Sequence, residues 1–128
     1  MAGVSKGAFG EVIAARFLRE KGFVIVSSNY RCRQGEVDII ATQGNYIVFV
    51  EVKTRKQDAM FSPREAVTMT KQRRLIQTAS IYLSKYPSAL QPRFDVIEVI
   101  TDAVYATKAV EINHIIGAYE AGDLCGAF

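Results

Sequence analysis

The sequence is poor in the residues that build small metal-bound or disulfide-bonded folds. Its 128 residues include two cysteines, one histidine, three prolines and no tryptophan. Cys32 and Cys125 are distant in sequence and form no CxxC or Cys/His cluster, which leaves a zinc finger and a disulfide framework unsupported. They read as free thiols in a reducing compartment. No run of about 18 apolar residues occurs, and the first ten residues hold one lysine and no continuous apolar stretch. The expectation is a cytoplasmic protein with no membrane partner. What is present is 49% hydrophobic and 23% charged residues, the balance of one globular domain spanning 1–128. A chain of this size buries roughly 65–70% of its unfolded surface and needs no staple.

Charge is unevenly placed. The net charge is only +3, but Lys53, Arg55, Lys56, Arg64, Lys71, Arg73 and Arg74 fall in one segment that holds just two acids, Asp58 and Glu65. That segment is the expected contact for a polyanion.

Helical spacing of apolar residues predicts a helix over 6–21, with Gly22 as its left-handed cap. Strands are predicted over 23–30, 36–42 and 46–53, the last two joined by a hairpin around Gln43-Gly44-Asn45. Residues 55–61 read as a loop. Ser62-Pro63-Arg64-Glu65 reads as a capping box with proline in the first turn, predicting a helix to about Tyr86. Its inward stripe would be Gln72, Leu75, Ile76, Ala79, Tyr82, Leu83 and Tyr86. Residues 93–100 read as a strand, followed by a weak strand near Val104 and a helix over 111–119. The α-β-β-β-α-β order predicts an α/β protein with a mixed sheet flanked by helices.

The hairpin carries an anomaly. A Gly44-Asn45 turn would place Asp38 opposite Glu51, whereas a Gln43-Gly44 turn would place Glu36 there. In either register Glu36, Asp38, Glu51 and Lys53 share one side. The strand bearing Glu51 and Lys53 is apolar on both sides, with Ile47 and Phe49 on one face and Val48, Val50 and Val52 on the other. Val37, Ile39 and Ala41 are expected to line the face of their strand opposite Asp38. Carboxylates entering such a sheet are costly unless a cation receives them. Three acids around one lysine leave a negative excess that fits a hard divalent ion, Mg²⁺ or Mn²⁺. Glu11, amid Ala8, Ala14, Ala15 and Leu18 on the first helix, reads either as a solvated group or as a further ligand. Lys71 borders the inward stripe, within reach of a phosphate or of Glu51. Arg93 and Asp95 read as a structural ion pair, and His114 as a structural or surface residue.

Gly35-Glu36-Val37-Asp38 followed by Glu51-Val52-Lys53-Thr54-Arg55 resembles the PD-(D/E)xK nuclease pattern. Gly10-Glu11, Asn29-Tyr30-Arg31, Lys71 and Arg93-Phe94-Asp95-Val96 bring the chain close to the uncharacterised bacterial YraN-type family, which is similar to archaeal Holliday-junction resolvases. The resemblance covers about residues 7–100. It implies a restriction-endonuclease-like fold, with Asp38 and Glu51 as metal ligands, Lys53 beside the nucleophilic water and Glu11 completing the metal site. Val37 stands where the named motif has proline, a residue that shapes backbone and does no chemistry.

The first expectation is therefore a Mg²⁺- or Mn²⁺-dependent endonuclease acting on DNA, including branched or damaged DNA. Asp38, Glu51 and Lys53 would be catalytic, with Glu36 and Lys71 in support. Arg55, Lys56, Arg64, Arg73 and Arg74 would contact the backbone. The alternative is a nucleic-acid-binding module of the same fold without turnover. A third reading makes the charged cluster structural glue in an interaction subunit. The apolar tail Leu124–Phe128 would dock on the chain's own core or on a twin, and a two-fold homodimer would suit an enzyme acting on both strands.

Overall fold

The computed structural model describes residues 6–57, 68–104 and 108–121, with side chains from residue 8 onward. Helix α1 (Lys6–Glu20) is followed by strands β1 (Val24–Cys32), β2 (Gly35–Gln43) and β3 (Tyr46–Lys56). Helix α2 (Met69–Lys85) leads to β4 (Gln91–Thr101) and β5 (Ala109–Tyr119). The strands form one sheet in the order β1-β2-β3-β4-β5. All neighbours are antiparallel except β3 and β4, which run parallel because the chain crosses over between them through α2. The predicted mixed sheet with flanking helices is present, extended by one strand.

Each face of the sheet carries its own core. On one, Ala14 and Leu18 of α1 and Phe23 pack against Ile39, Ala41, Val48, Val50, Ile97 and Val99. On the other, Leu75, Ile76, Ala79 and Tyr82 of α2 pack against Ile40, Ile47, Phe49 and Phe94. Strand β3 lies at the centre and is buried from Ile47 to Glu51, as its two apolar faces predict. At about 25 cal/mol per Å² of apolar surface, this two-sided burial is the main force holding the site strand in place.

Local signals explain the boundaries. Gly22 takes φ +91°, Phe23 N–H reaches the Leu18 carbonyl and Gly22 N–H that of Arg19, so α1 ends in a Schellman cap. Gln43 pairs with Tyr46, which makes Gly44-Asn45 the turn; Gly44 at φ +55° supplies the positive φ required at its first position. Thr68 has extended backbone, and its Oγ1 accepts the Lys71 N–H at 3.2 Å. Helix α2 therefore starts at Met69 and is not continuous from Ser62. The predicted capping box, Arg64, Cys125 and the 124–128 tail lie outside the described residues.

Four further expectations are corrected. Residues 55–56 belong to β3, whose parallel ladder with β4 runs to Lys56 and Thr101. Tyr86 leaves the inward stripe and is 57% exposed, while Thr78 is fully buried in its place. Residues 111–119 form strand β5 instead of a helix. Ile112, Ile115, Ile116 and Tyr119 mimic helical spacing because a bulge containing Gly117, at φ +60°, shifts the phase of a strand. Finally, Val37 joins the α2-side core although Ile39, two residues later, joins the α1 side. Regular alternation forbids this, so β2 changes phase at Asp38.

Candidate active site

The β2–β3 ladder runs from Gln43/Tyr46 to Ile39/Val50 and then stops. Its register places Asp38 across from Glu51, but the next rung is not a backbone pair. Asp38 Oδ2 instead accepts the Val52 N–H at 2.8 Å, so a side chain replaces a carbonyl where the strands part. This opens a cleft of about 270 Å³ lined by Gly35, Glu36, Asp38, Glu51, Lys71, Arg74 and Leu75.

Glu51 projects into the cleft with its side chain only 11% exposed. One oxygen, Oε1, meets Lys53 Nζ at 3.0 Å and Lys71 Nζ at 3.4 Å. Lys53 reaches it from two residues along β3, and Lys71 from the first turn of α2, where the Thr68 cap starts the helix. Burial, the Glu51 charge and a hydrogen bond shared with Glu51 push the Asp38 carboxyl up to about 7, against the lowering by the Val52 N–H. Asp38 thus keeps its proton up to near neutral pH.

The lysines are driven apart. Burial lowers Lys71 first, and its hydrogen bond to Lys53 and the Lys53 charge lower it further. Burial also opposes charge on Lys53, but its bonds to Lys71 and Glu51 and the nearby acids outweigh that, leaving it above the ordinary lysine value. Lys53 is the ammonium that persists; Lys71 releases its proton first.

Glu11 arrives from the α1 side. Gly10 lets α1 press on β3, since a Cβ there would collide with Thr54 Oγ1. Burial raises the Glu11 pKa, the Asn29 side chain hydrogen-bonds it and lowers it, and the Glu36 and Glu51 charges raise it again. Glu36, on the cleft rim, is bridged to Arg31, Nε to Oε2, at 3.1 Å.

Of the sequence-predicted groups, Asp38, Glu51, Lys53 and Lys71 are brought together, with Glu36 at the rim and Glu11 in electrostatic contact. Arg74 lines the cleft and Arg73 is exposed on α2. Arg55 is half-buried and Lys56 exposed at the end of β3. Among the described residues no three Asp, Glu, His or Cys side chains form a ready-made metal cage. The donor chemistry nevertheless fits Mg²⁺ or Mn²⁺. Two carboxyl groups line one cleft, and Mg²⁺ commonly takes one or two carboxylates and fills its shell with water and phosphate. Asp38 and Glu51 would hold the ion; Glu11 is coupled to them electrostatically but does not line the cleft.

The sequence model of "Uncharacterised protein family UPF0102" matches residues 10–99. This chain belongs to that family. A UPF0102 protein of Clostridium botulinum (strain Loch Maree / Type A3) is 44% identical over 108 residues, covering 83% of this chain and 88% of the relative. UPF0102 protein TTE1452 of Caldanaerobacter subterraneus subsp. tengcongensis is 43% identical over 114 residues, 88% and 93% of the two chains. The UPF0102 match spans Glu11, Asp38, Glu51, Lys53 and Lys71, so the whole cleft lies inside the family region, in line with the YraN-type resemblance. Strand β5 lies beyond it.

Two features were not foreseen. Asn29 is the only described non-glycine residue with positive φ, 54°; the sequence placed it inside the strand expected over 23–30 and in the Asn29-Tyr30-Arg31 motif, without marking this backbone conformation. The second lies on the α1 side, away from the cleft, and extends the structural Arg93–Asp95 ion pair that the sequence predicted. Asp95, fully buried, accepts Arg93 Nε and Nη2 at 2.9 Å each, the Gly117 N–H at 3.0 Å and His114 Nε2 at 2.7 Å. His114 Nδ1 lies 3.0 Å from Lys21 Nζ, and its ring packs edge-on to Phe17. With Lys21 donating, the imidazole carries its proton on Nε2. His114 therefore ties α1 to β4 and β5 and has no place in the cleft. Among the described residues no helix is long and apolar enough to cross a membrane.

Proposed function

We propose that this protein is a Mg²⁺- or Mn²⁺-dependent endonuclease that hydrolyses DNA phosphodiester bonds, branched or damaged DNA among its substrates. The observation that carries the reading is the Asp38–Glu51 pair lining one cleft while two lysines converge on one Glu51 oxygen. A structural ion pair needs neither the second acid nor the second amine. The PD-(D/E)xK resemblance of the same residues supports the assignment, as does the restriction-endonuclease-like order of elements.

When bound between Asp38 and Glu51, the ion would lower the pKa of an attacking water and neutralise charge on the scissile phosphate. Lys53, persistently charged, orients that water and stabilises the charge that develops in the transition state. Lys71 and Arg74 on the opposite wall hold phosphate oxygens, and burial and the neighbouring Lys53 make Lys71 the readier of the two lysines to give up a proton. The cleft, about 270 Å³, is open to solvent and has room for a phosphodiester group. Arg33, Arg73, Arg74 and Lys56 are exposed around the fold and would take flanking phosphates.

The exposed basic residues Lys56, Arg73 and Arg74 favour a second reading, a nucleic-acid-binding module without turnover. One assay separates them. Purified protein is incubated with Mg²⁺ or Mn²⁺ and duplex, single-stranded, flapped and four-way DNA. Cleavage lost in the Lys53→Ala variant supports the nuclease. Salt-sensitive binding with no cleavage under either metal supports the module, and cleavage unchanged by Lys53→Ala places the chemistry elsewhere.

A further inference from the structure

Arginines gather where the β1–β2 turn meets α2. Arg74 lines the cleft, and Arg73 beside it is exposed on the same helix. Arg33 is exposed in the turn, and Arg31, near the end of β1, has its side chain 73% exposed. Arg31 meets Glu36 through Nε, which leaves the outer donors of its guanidinium to solvent. Turn and helix are locked together at Gly35, which also lines the cleft. A Cβ there would stand 3.1 Å from Thr78 Oγ1 and 3.7 Å from Arg74 Cβ. Thr78 is fully buried, and its Oγ1 donates to the Arg74 carbonyl at 2.8 Å. The two elements thus make one ridge that begins inside the cleft and continues beyond it.

The other flank carries the opposite charge. Lys53 pairs with Glu98 of β4, and Glu98 with Asn113 of β5, so these three side chains share the cleft face of the sheet. Asn113 Nδ2 donates to Glu98 Oε1 at 3.0 Å and to Glu111 Oε2 at 2.7 Å, and Glu111 is exposed. A phosphate chain leaving the cleft toward β5 meets carboxylates; one leaving toward β1 meets guanidinium groups.

We propose that Arg74, Arg73, Arg33 and Arg31 form one phosphate-binding ridge that holds DNA on the β1 side of the cleft only, so that a strand ending or branching just past the cleft is preferred to continuous duplex. The inference deepens the nucleic-acid reading above and rests on neither a metal nor turnover. Arginine suits the ridge because its planar fork takes two phosphate oxygens at once. Glu111 supplies the repulsive half of the preference, since continuous duplex must carry its phosphates past that side chain.

The test is DNA binding by fluorescence anisotropy in chelator, where metal-dependent cleavage is silent, at about 50 to 200 mM salt. Flapped and continuous duplex of equal charge are compared. The wild type should bind the flapped DNA more tightly. Arg33→Ala/Arg73→Ala should reduce the slope of log affinity against log salt by about two, one for each lost phosphate contact. Arg16→Ala/Arg19→Ala removes the same charge from exposed positions on α1, across the sheet, and should leave the slope unchanged. Glu111→Gln should tighten continuous duplex more than flapped DNA. All these sites are exposed, so melting temperatures should match the wild type. An equal loss of slope in the α1 variant, or wild-type binding by Arg33→Ala/Arg73→Ala, overturns the ridge and leaves the nucleic-acid reading standing. Equal wild-type affinity for the two DNAs, or a preference untouched by Glu111→Gln, overturns the one-sided hold. If the wild type binds neither DNA, the nucleic-acid reading and this inference both fall.

Discussion

Replacing Asp38 by Asn should make the metal-free protein more stable while removing its activity. In the unfolded chain this carboxyl ionises near 3.8, whereas in the fold burial and the Glu51 charge hold its proton until about pH 7. Between those values the folded chain binds more protons than the unfolded one, so stability falls as pH rises through the window. The penalty is complete above pH 7 and absent below about pH 4. At 1.36 kcal/mol per pKa unit its upper bound is about 4 kcal/mol. Part of the repulsion is relaxed by Lys53 and Lys71 on Glu51, so about 2–4 kcal/mol is expected. The Asp38→Asn variant keeps a carbonyl oxygen for the Val52 N–H and loses only the charge. For a chain of this size its melting temperature should rise by roughly 6–15 °C at pH 8 in chelator, with little change at pH 4. Scanning calorimetry from pH 4 to 9 makes the comparison. Added Mn²⁺ should reverse the order, because only the wild type gains binding energy. A variant no more stable than wild type at pH 8 would refute the argument that these acids are held together against their charge.

The other predictions concern the supports of the site. Asp95→Ala strands Arg93 and His114 in the α1-side core and should cost about 3–5 kcal/mol in urea unfolding. Burial opposes the Asp95 charge, but His114, Arg93 and the Gly117 N–H outweigh it and hold its pKa below the ordinary value. Its contribution is therefore present at neutral pH and lost as pH falls through the folded pKa, so the variant should lack the wild type's steepest acid-unfolding step. Gly10→Ala should cost about 1–3 kcal/mol by forcing α1 off Thr54. The Gly10→Ala/Thr54→Ala double variant should recover most of it, and failure to do so would place the strain elsewhere. Lys53→Ala should lower kcat about 10²–10⁴-fold with little change in KM for DNA, measured by single-turnover cleavage. Charge reversal at Lys56 and Arg74 should weaken DNA binding and reduce the slope of log affinity against log salt by about one for each phosphate that is no longer neutralised.

Much of the cleft was legible because it is built from local patterns. Alternation in β3 marked a central strand, and the same alternation showed that Glu51 and Lys53 could not face open solvent. The hairpin left two registers, and the pairing of Gln43 with Tyr46 selects the one that sets Asp38 opposite Glu51. Lys71 was legible as a border residue of α2, but its approach to Glu51 depends on the helix beginning at Thr68. What escaped were breaks of phase and long-range contacts. Gly117 shifts β5 so that its isoleucines imitate a helix, and the phase change at Asp38 sends Val37 to the unexpected core. Asn29 carries no periodic signal at all. The Asp95–His114–Lys21 chain joins residues from three elements, which no window of sequence brings together.

The most direct test of the central claim is a crystal of the wild-type protein soaked in Mn²⁺ at neutral pH and measured for anomalous scattering. The account predicts a peak bound by Asp38 and Glu51, with water completing its shell. Ordered, closely paired carboxylates with no peak between them at saturating Mn²⁺ would contradict it.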